Sequence, residues 1–323
     1  MLTVAVIEGG FSSEKKISLL SSQTVQNNLD ASKYRTIRVR IDEKGWFAYT
    51  NSGKMSPIDK NDFSTVLVDE KVKFDFAFIV IHGTPGEDGK LQAYFDLVDI
   101  PYSTCNHLLA ALTFNKYVCN RYLEKFGIPV AKGEIVNKGD TYSVDQIIEA
   151  VGLPCFVKPA DGGSSYGVTK VKDKSELAGA ITFATEHGTQ ALIESLLVGR
   201  EVTNGVYLGK DGTKILPVTE IITENEFFDF DAKYEGKSQE ITPALLSDEM
   251  TLKVKSATKK IFEILKLTGI CRIDYIIVND TPYMIEVNTV PGQSAASLIP
   301  QMAAADGLKL SDIYDEVIDL AMA

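Results

Sequence analysis

Arg272 and Asp274 stand two apart at the start of one apolar run, and Glu286 and Asn288 stand two apart at the end of the next. Between them, Tyr275-Ile276-Ile277-Val278 is aromatic and β-branched, Asn279-Asp280-Thr281-Pro282 is turn chemistry, and Tyr283-Met284-Ile285 resumes the apolar run. The segment predicts a β-hairpin. With an odd-numbered loop over Asn279 to Thr281, Val278 pairs with Pro282, Asp274 with Glu286 and Arg272 with Asn288, and strand alternation puts the polar side chains on one face. Directly opposed Cβ atoms lie about 5 Å apart. Carboxylates that close need a proton or a cation between them, and an Asp/Glu/Asn oxygen set suits Mg²⁺ shared with substrate phosphates. The same residues would equally serve as the solvated face of an ordinary hairpin, so the pattern alone leaves both readings open.

A second group centres on Lys158, at the end of the apolar run Cys155-Phe156-Val157 and ahead of Pro159-Ala160-Asp161-Gly162-Gly163-Ser164-Ser165-Tyr166-Gly167. Glycine lets backbone N–H groups close on phosphate oxygens, and lysine adds a point charge. The lysine precedes the glycines, so this is not a Walker A loop, and a glycine turn with an exposed lysine would read the same way. Gly9-Gly10 does not extend to G-x-G-x-x-G, which excludes the dinucleotide fingerprint. Glu194 ends one strand and Glu201 begins another, joined by Ser195-Leu196-Leu197-Val198-Gly199. Such a connector can present backbone groups to a purine edge and a carboxylate to ribose hydroxyls, or simply carry surface acids.

The elements that must position these residues follow from pattern and composition. The chain has 323 residues, 45% hydrophobic and 24% charged, an ordinary globular composition with length for two or three domains. Net charge −11 argues against nucleic acid as partner. The Met1-Leu2-Thr3-Val4-Ala5-Val6-Ile7-Glu8 start lacks a basic region, no apolar run approaches the ~20 residues of a membrane span, and Cys105, Cys119, Cys155 and Cys271 form no C-x-x-C pair. These features imply a cytoplasmic protein with buried thiols.

Residues 1–104 alternate strands (Thr3 to Ile7, Tyr34 to Ile41, Phe76 to Ile81) with helical patterns such as Lys15 to Leu29, and predict an α/β domain with a parallel sheet. Residues 105–194 form a second unit, opening on a helix from Leu108 to Phe126, and 195–323 a third, with a helix from Asp248 to Leu267. Residues 223–247 show no period yet contain Phe227, Phe228, Phe230 and Tyr234, which predicts a functional lid.

In order and spacing, six segments resemble the ATP-grasp enzymes, and among them the D-alanine:D-alanine ligase family. They are Glu8 to Glu14, Ile81-His82-Gly83 through Gly89, Val157-Lys158-Pro159 through Ser165, Ala232-Lys233-Tyr234, Arg272-Ile273-Asp274, and Glu286 through Gly292. The resemblance spans nearly the whole chain. It implies an α/β fold, α+β in its C-terminal part, of ATP-grasp type behind an N-terminal Rossmann-like parallel-sheet domain. It further implies ligation of D-alanine to D-alanine at the expense of ATP, through an acyl phosphate, for peptidoglycan and the cell wall.

By this resemblance ATP would lie between the second and third units. Lys116 and Lys158 would meet phosphates with Ser165 of the glycine loop, Glu194 and the backbone near Leu197 would meet adenine, and Glu201 the ribose. Asp274, Glu286 and Asn288 would hold two Mg²⁺, with Mn²⁺ as a substitute. Arg272 and the Gly292 N–H would receive the oxyanion. Glu14 would accept from the first D-alanine's ammonium, His82 would lie near that substrate, and Ser297 would bind the second carboxylate. Ser164 and Tyr234 would link with Glu14 to tie the lid down, with Lys233 reaching the γ-phosphate. Asn115 and Ala296 stand where many relatives carry aspartate and histidine, while Tyr234 favours an amine acceptor. Ligases using D-lactate or D-serine are the nearest alternatives, and family members are commonly homodimers.

Overall fold

The computed structural model describes the chain except for residues 51–52, 163–166 and 224–237. Its described strands form three sheets that follow one another along the chain. The first contains β1 (Leu2–Gly9), β2 (Tyr34–Asp42), β3 (Gly45–Tyr49), β4 (Met55–Asp59), β5 (Ser64–Leu67), β6 (Glu70–Val72) and β7 (Phe76–Ile79), in the order β6-β5-β4-β3-β2-β1-β7. β1 runs parallel to β2 and β7, whereas β2 to β6 form an antiparallel meander. The parallel sheet expected across this region is thus confined to three strands. Among the described residues of this sheet only the β1 to β2 connection carries a crossover helix, α1 (Lys15–Asn28), and the short turns within the meander join antiparallel neighbours.

Helix α2 (Lys90–Leu97) follows β7. Both faces of β1 are covered: Ala5 and Ile7 join a core with the meander and Leu91 and Phe95 of α2, while Val4 and Val6 join one with residues far down the chain. This double burial explains the continuous apolar run that opens the sequence.

A break replaces the long helix expected from Leu108 to Phe126. α3 (His107–Phe114) ends and α4 (Lys116–Glu124) begins at Asn115, which is extended (φ −86°, ψ 102°). Its side chain accepts from Val118 N–H at 3.1 Å, capping α4, which is the local bonding that makes asparagine favour helix ends over interiors. Lys116 therefore opens a helix instead of lying within one. The second sheet comprises β8 (Gly133–Asn137), β9 (Cys155–Pro159), β10 (Thr169–Val171) and β11 (Gln190–Ser195), ordered β10-β9-β11-β8 and antiparallel. α5 (Val144–Val151) and α6 (Leu177–His187) cover the face that carries Cys155 and Val157, so alternation sends Lys158 to the other side.

The third sheet comprises β12 (Arg200–Gly209), β13 (Gly212–Thr223), β14 (Ser238–Ile241), β15 (Ile270–Val278) and β16 (Thr281–Asn288), ordered β14-β13-β12-β15-β16. α7 (Asp248–Ile264) packs on it together with Ala110, Cys119 and Leu123 of α3 and α4. α8 (Leu298–Ala305) and α9 (Leu310–Met322) bridge back to β1 and β7, with Ile299, Met302 and Tyr314 in one core with Val4, Val6 and Phe78. Residues 223–247 are not wholly irregular, since β14 pairs with the end of β13. The four cysteines are buried and free, and among the described residues no helix is long and apolar enough to cross a membrane.

Candidate active site

The β15–β16 hairpin reaches the expected pairing by another route. Val278 pairs with Thr281, not Pro282, so the loop has the two residues Asn279 and Asp280, both at positive φ (47° and 58°) as a type I′ turn requires. The register then shifts between Asp274 and Tyr275, where β16 carries an extra residue, and Asp274 meets Glu286 and Arg272 meets Asn288 after all. The even turn alone would put Glu286 out of phase, and the bulge restores it.

Around this pairing the side chains form a closed network. Arg272 donates from Nε to Asp274 Oδ1 and from Nη2 to Oδ2, both at 2.9 Å. Asn288 Nδ2 donates to Asp274 Oδ2 at 3.0 Å, and Thr203 Oγ1, directly across on β12, to Oδ1 at 2.5 Å. Lys116 Nζ lies 3.0 Å from Glu286 and 2.6 Å from the Gly162 carbonyl. Burial works against the Lys116 charge, but Glu286 outweighs it and the amine is held above its ordinary range. Burial likewise opposes the Arg272 charge, and Asp274 raises it further still.

Asp274, Glu286 and Asn288 supply two opposed carboxylates and an amide at paired positions, the type of oxygen set Mg²⁺ takes, with the Asp274 oxygens here held by Arg272, Thr203 and Asn288 donors that an ion would have to share or displace. Among the described residues no group of three His, Cys, Asp or Glu is placed to hold a metal ion.

On the second sheet, Lys158 Nζ lies 2.5 Å from Glu194 Oε2, with both side chains largely buried. Asn120 Nδ2 donates to Glu194 Oε1 at 3.0 Å, so both carboxylate oxygens have partners. Asn120 carried no sequence expectation, although its spacing from Lys116 (i, i+4 on α4) puts the two on one helix face. Leu197 lies in the connector after β11 and Glu201 near the start of β12, both partly exposed. Ser164, Ser165, Lys233 and Tyr234 lie outside the described residues.

A cavity of about 300 Å³ unites residues from all parts of the chain, including Glu14, His82, Glu87, Lys116, Arg272, Glu286, Asn288, Gly292 and Ser297. Asp274, Lys158, Glu194, Leu197 and Glu201 lie outside its lining. Glu14 immediately precedes α1. His82 is buried and donates from Nδ1 to the Val290 carbonyl at 2.7 Å, and its Nε2 has no hydrogen-bond partner among the described residues. Its burial pushes the imidazole pKa down against the pull of Glu14, so it is neutral at pH 7. Gly292 admits no side chain freely, because a Cβ there would stand 2.6 Å from Ser297 Oγ, itself paired with Ser294 Oγ at 2.7 Å.

Glu87, like Asn120, carried no sequence expectation of its own. Its carboxyl is pushed up to about 7 by burial and by Glu14, while N–H bonds from Gly83 and Val290 pull the other way. Its signal was available, as an acid inside the glycine loop Gly83 to Gly89.

A first sheet with a parallel α/β core, followed along the chain by a four-stranded and a five-stranded antiparallel sheet, is the architecture of the solved D-Ala ligase structures, the ATP-grasp fold. Residues 3–105 match the family described as D-ala D-ala ligase N-terminus and residues 122–319 the D-ala D-ala ligase C-terminus. The chain belongs to the D-alanine–D-alanine ligase family. It is 48% identical to the D-alanine–D-alanine ligase of Flavobacterium johnsoniae over the full length of both chains, and 46% identical to that of Bacteroides thetaiotaomicron over 98% of both. Among solved structures it is similar to the VanG D-Ala:D-Ser ligase from Enterococcus faecalis, with TM-score 0.89, 32% identity and 99% coverage of each chain. It is also similar to a Bacillus anthracis D-alanine–D-alanine ligase complexed with ATP, with TM-score 0.80, 29% identity and coverage of 100% of this chain and 98% of that one.

Proposed function

We propose that this chain joins two D-alanines into D-alanyl-D-alanine with ATP as the energy source, for peptidoglycan precursor synthesis. The observation that carries the reading is the in-register hairpin floor, Arg272–Asp274 against Glu286–Asn288, with Lys116 3.0 Å from Glu286, inside a chain of this family. The proposed division is 1–104, 105–194 and 195–323, with the lid at 223–247, and it is supported by the three sheets.

In this reading Lys116 and Lys158 hold phosphate oxygens, and Glu194 with Asn120 keeps Lys158 extended. When nucleotide binds, its phosphates take over these lysine charges from the carboxylates. Asp274, Glu286 and Asn288 hold Mg²⁺, two ions in the full reading, and the metal supplies neutralisation of phosphate charge. Glu14 anchors the ammonium of the first D-alanine, with His82 beside it, and Ser297 holds the carboxylate of the second. Glu201 and the backbone near Leu197 serve the nucleoside. Ser165 and Lys233 are assigned to phosphates, and Ser164 and Tyr234 to lid closure, on family resemblance alone.

The first D-alanine carboxylate takes the γ-phosphoryl group, and ADP leaves. The amine of the second D-alanine, having released a proton, attacks the acyl carbon. The resulting oxyanion is stabilised by Arg272 and the Gly292 N–H, and its collapse expels phosphate. Arg272 suits this role because Asp274 engages its Nε and Nη2 and fixes its plane, leaving other N–H groups for substrate.

A cytoplasmic location and a homodimer belong to the same reading, and sedimentation equilibrium tests the latter. The decisive experiment is turnover of Mg-ATP with D-alanine, with D-lactate and D-serine as rival acceptors. D-alanine-dependent phosphate release with matching dipeptide is expected, and phosphate release indifferent to D-alanine would end the proposal.

A further inference from the structure

Both backbone polar groups of Val290 are held by residues more than two hundred positions away. Its carbonyl accepts from His82 Nδ1 at 2.7 Å, and its N–H donates to Glu87 Oε1 at 3.2 Å. The other oxygen of Glu87, Oε2, accepts from the Gly83 N–H at 2.7 Å. The loop carrying Glu87 is closed on itself, since the Gly83 carbonyl accepts from the N–H groups of Gly86 and Glu87, both at 2.8 Å. Gly86 permits this closure, because a Cβ there would stand 2.2 Å from the Ile81 carbonyl oxygen. Glu87 is therefore a short, rigidly mounted bridge between two loops that line one cavity.

The choice of a carboxylate needs a reason. Burial beside Glu14 disfavours its charge, and Glu286 adds to the repulsion. Glutamine would fill the same space without that cost. An amide, however, offers one acceptor oxygen and would turn its NH₂ toward the second N–H, donor against donor. Only a carboxylate accepts from both N–H groups at once.

Two residues beyond Val290 lies Gly292, whose N–H is the oxyanion donor in the mechanism above. We propose that Glu87 is a positioning residue: by joining the Val290 N–H to the Gly83 N–H, it fixes Val290-Pro291-Gly292 so that the Gly292 N–H meets the oxyanion formed on amine attack. The inference rests on the functional reading already given. In the step concerned a C–N bond forms, the acyl C–O bond breaks with its electron pair leaving on phosphate, and the nitrogen releases its protons to solvent. If the donor is misaligned, amine capture at the acyl carbon slows, while the acyl phosphate still loses its phosphoryl group to water by P–O cleavage, which forms no oxyanion on carbon and returns the carboxylate and phosphate.

The test is Glu87→Gln at about pH 8, above the pKa of the wild-type carboxyl, with phosphate and dipeptide measured in the same reaction. Dipeptide formation is expected to fall about 10²-fold, the scale of an ångström misplacement. Phosphate released per dipeptide is expected to rise severalfold above one. A partly folded sample lowers both rates together and keeps the ratio at one, so the readout does not depend on the folded fraction. A ratio of one in Glu87→Gln, at whatever rate, overturns the positioning role. Failure of the wild type itself to make dipeptide would instead overturn the functional reading.

Discussion

Replacing Arg272 with lysine keeps the charge and removes the fork. Arg272 grips both oxygens of Asp274 at 2.9 Å, and the two side chains are 19% and 15% exposed. A lysine ammonium can occupy only one point: it either pairs with Asp274 or reaches the substrate oxyanion, not both. Two costs follow. For stability, a charge-assisted pair of this kind contributes about 1.5 to 3 kcal/mol, part of which lysine retains, so a net loss of about 1 kcal/mol is expected. For catalysis, losing an oxyanion donor lowers kcat about 10²- to 10³-fold, or roughly 3 to 4 kcal/mol of barrier. The catalytic loss thus exceeds the folding loss by about 2 to 3 kcal/mol, and the two are separable. Coupled phosphate and dipeptide assays on Arg272→Lys, beside a urea melt, measure both. The KM for ATP is expected to hold, because the Lys158–Glu194 pair is untouched. A kcat within about threefold of wild type would refute the oxyanion role, and an unfolded variant would refute the assigned modest stability role.

Glu194→Gln removes the counter-charge of a lysine that is only 14% exposed, which is expected to cost about 3 kcal/mol in urea melts and to raise the KM for ATP. Gly292→Ala forces its new methyl to within 2.6 Å of Ser297 Oγ, so the KM for the acceptor D-alanine should rise while the melting temperature moves little. His82 has a folded-state pKa below 6.5, so below pH 6.5 the unfolded chain binds the extra proton. Stability from this group should therefore fall as the pH drops below 6.5 and level off above it, and His82→Gln should flatten melts compared at about pH 5 and pH 7. Chelation with EDTA should abolish turnover and added Mg²⁺ should restore it, with Mn²⁺ a working substitute.

Much of the fold was legible because alternation and capping are local. The period of two along Ile270 to Val278 is matched by alternating buried and partly buried positions, and Ser247 caps α7 by accepting from Met250 N–H at 3.3 Å. The break at Asn115 was less legible, because an apolar helical pattern continues through it while one side chain redirects the backbone. The meander of β3 to β6 was missed because its strands are short and both β4 and the edge strand β6 are largely exposed, which leaves little apolar alternation to read.

The residue types at the hairpin were determined by sequence alone: a bidentate cation, two carboxylates and an amide at spacings of two. Their alignment was not. An Asn-Asp turn favours the two-residue loop, which by itself puts the acids out of phase, and the extra residue in β16 returns them to register. The same division holds for the Lys158–Glu194 and Glu87–Val290 contacts. A sequence shows that an acid or a lysine is present. Which partner it meets, and whether burial moves its pKa, depends on segments brought together across the chain, since desolvation is a property of the packed surroundings and not of the residue.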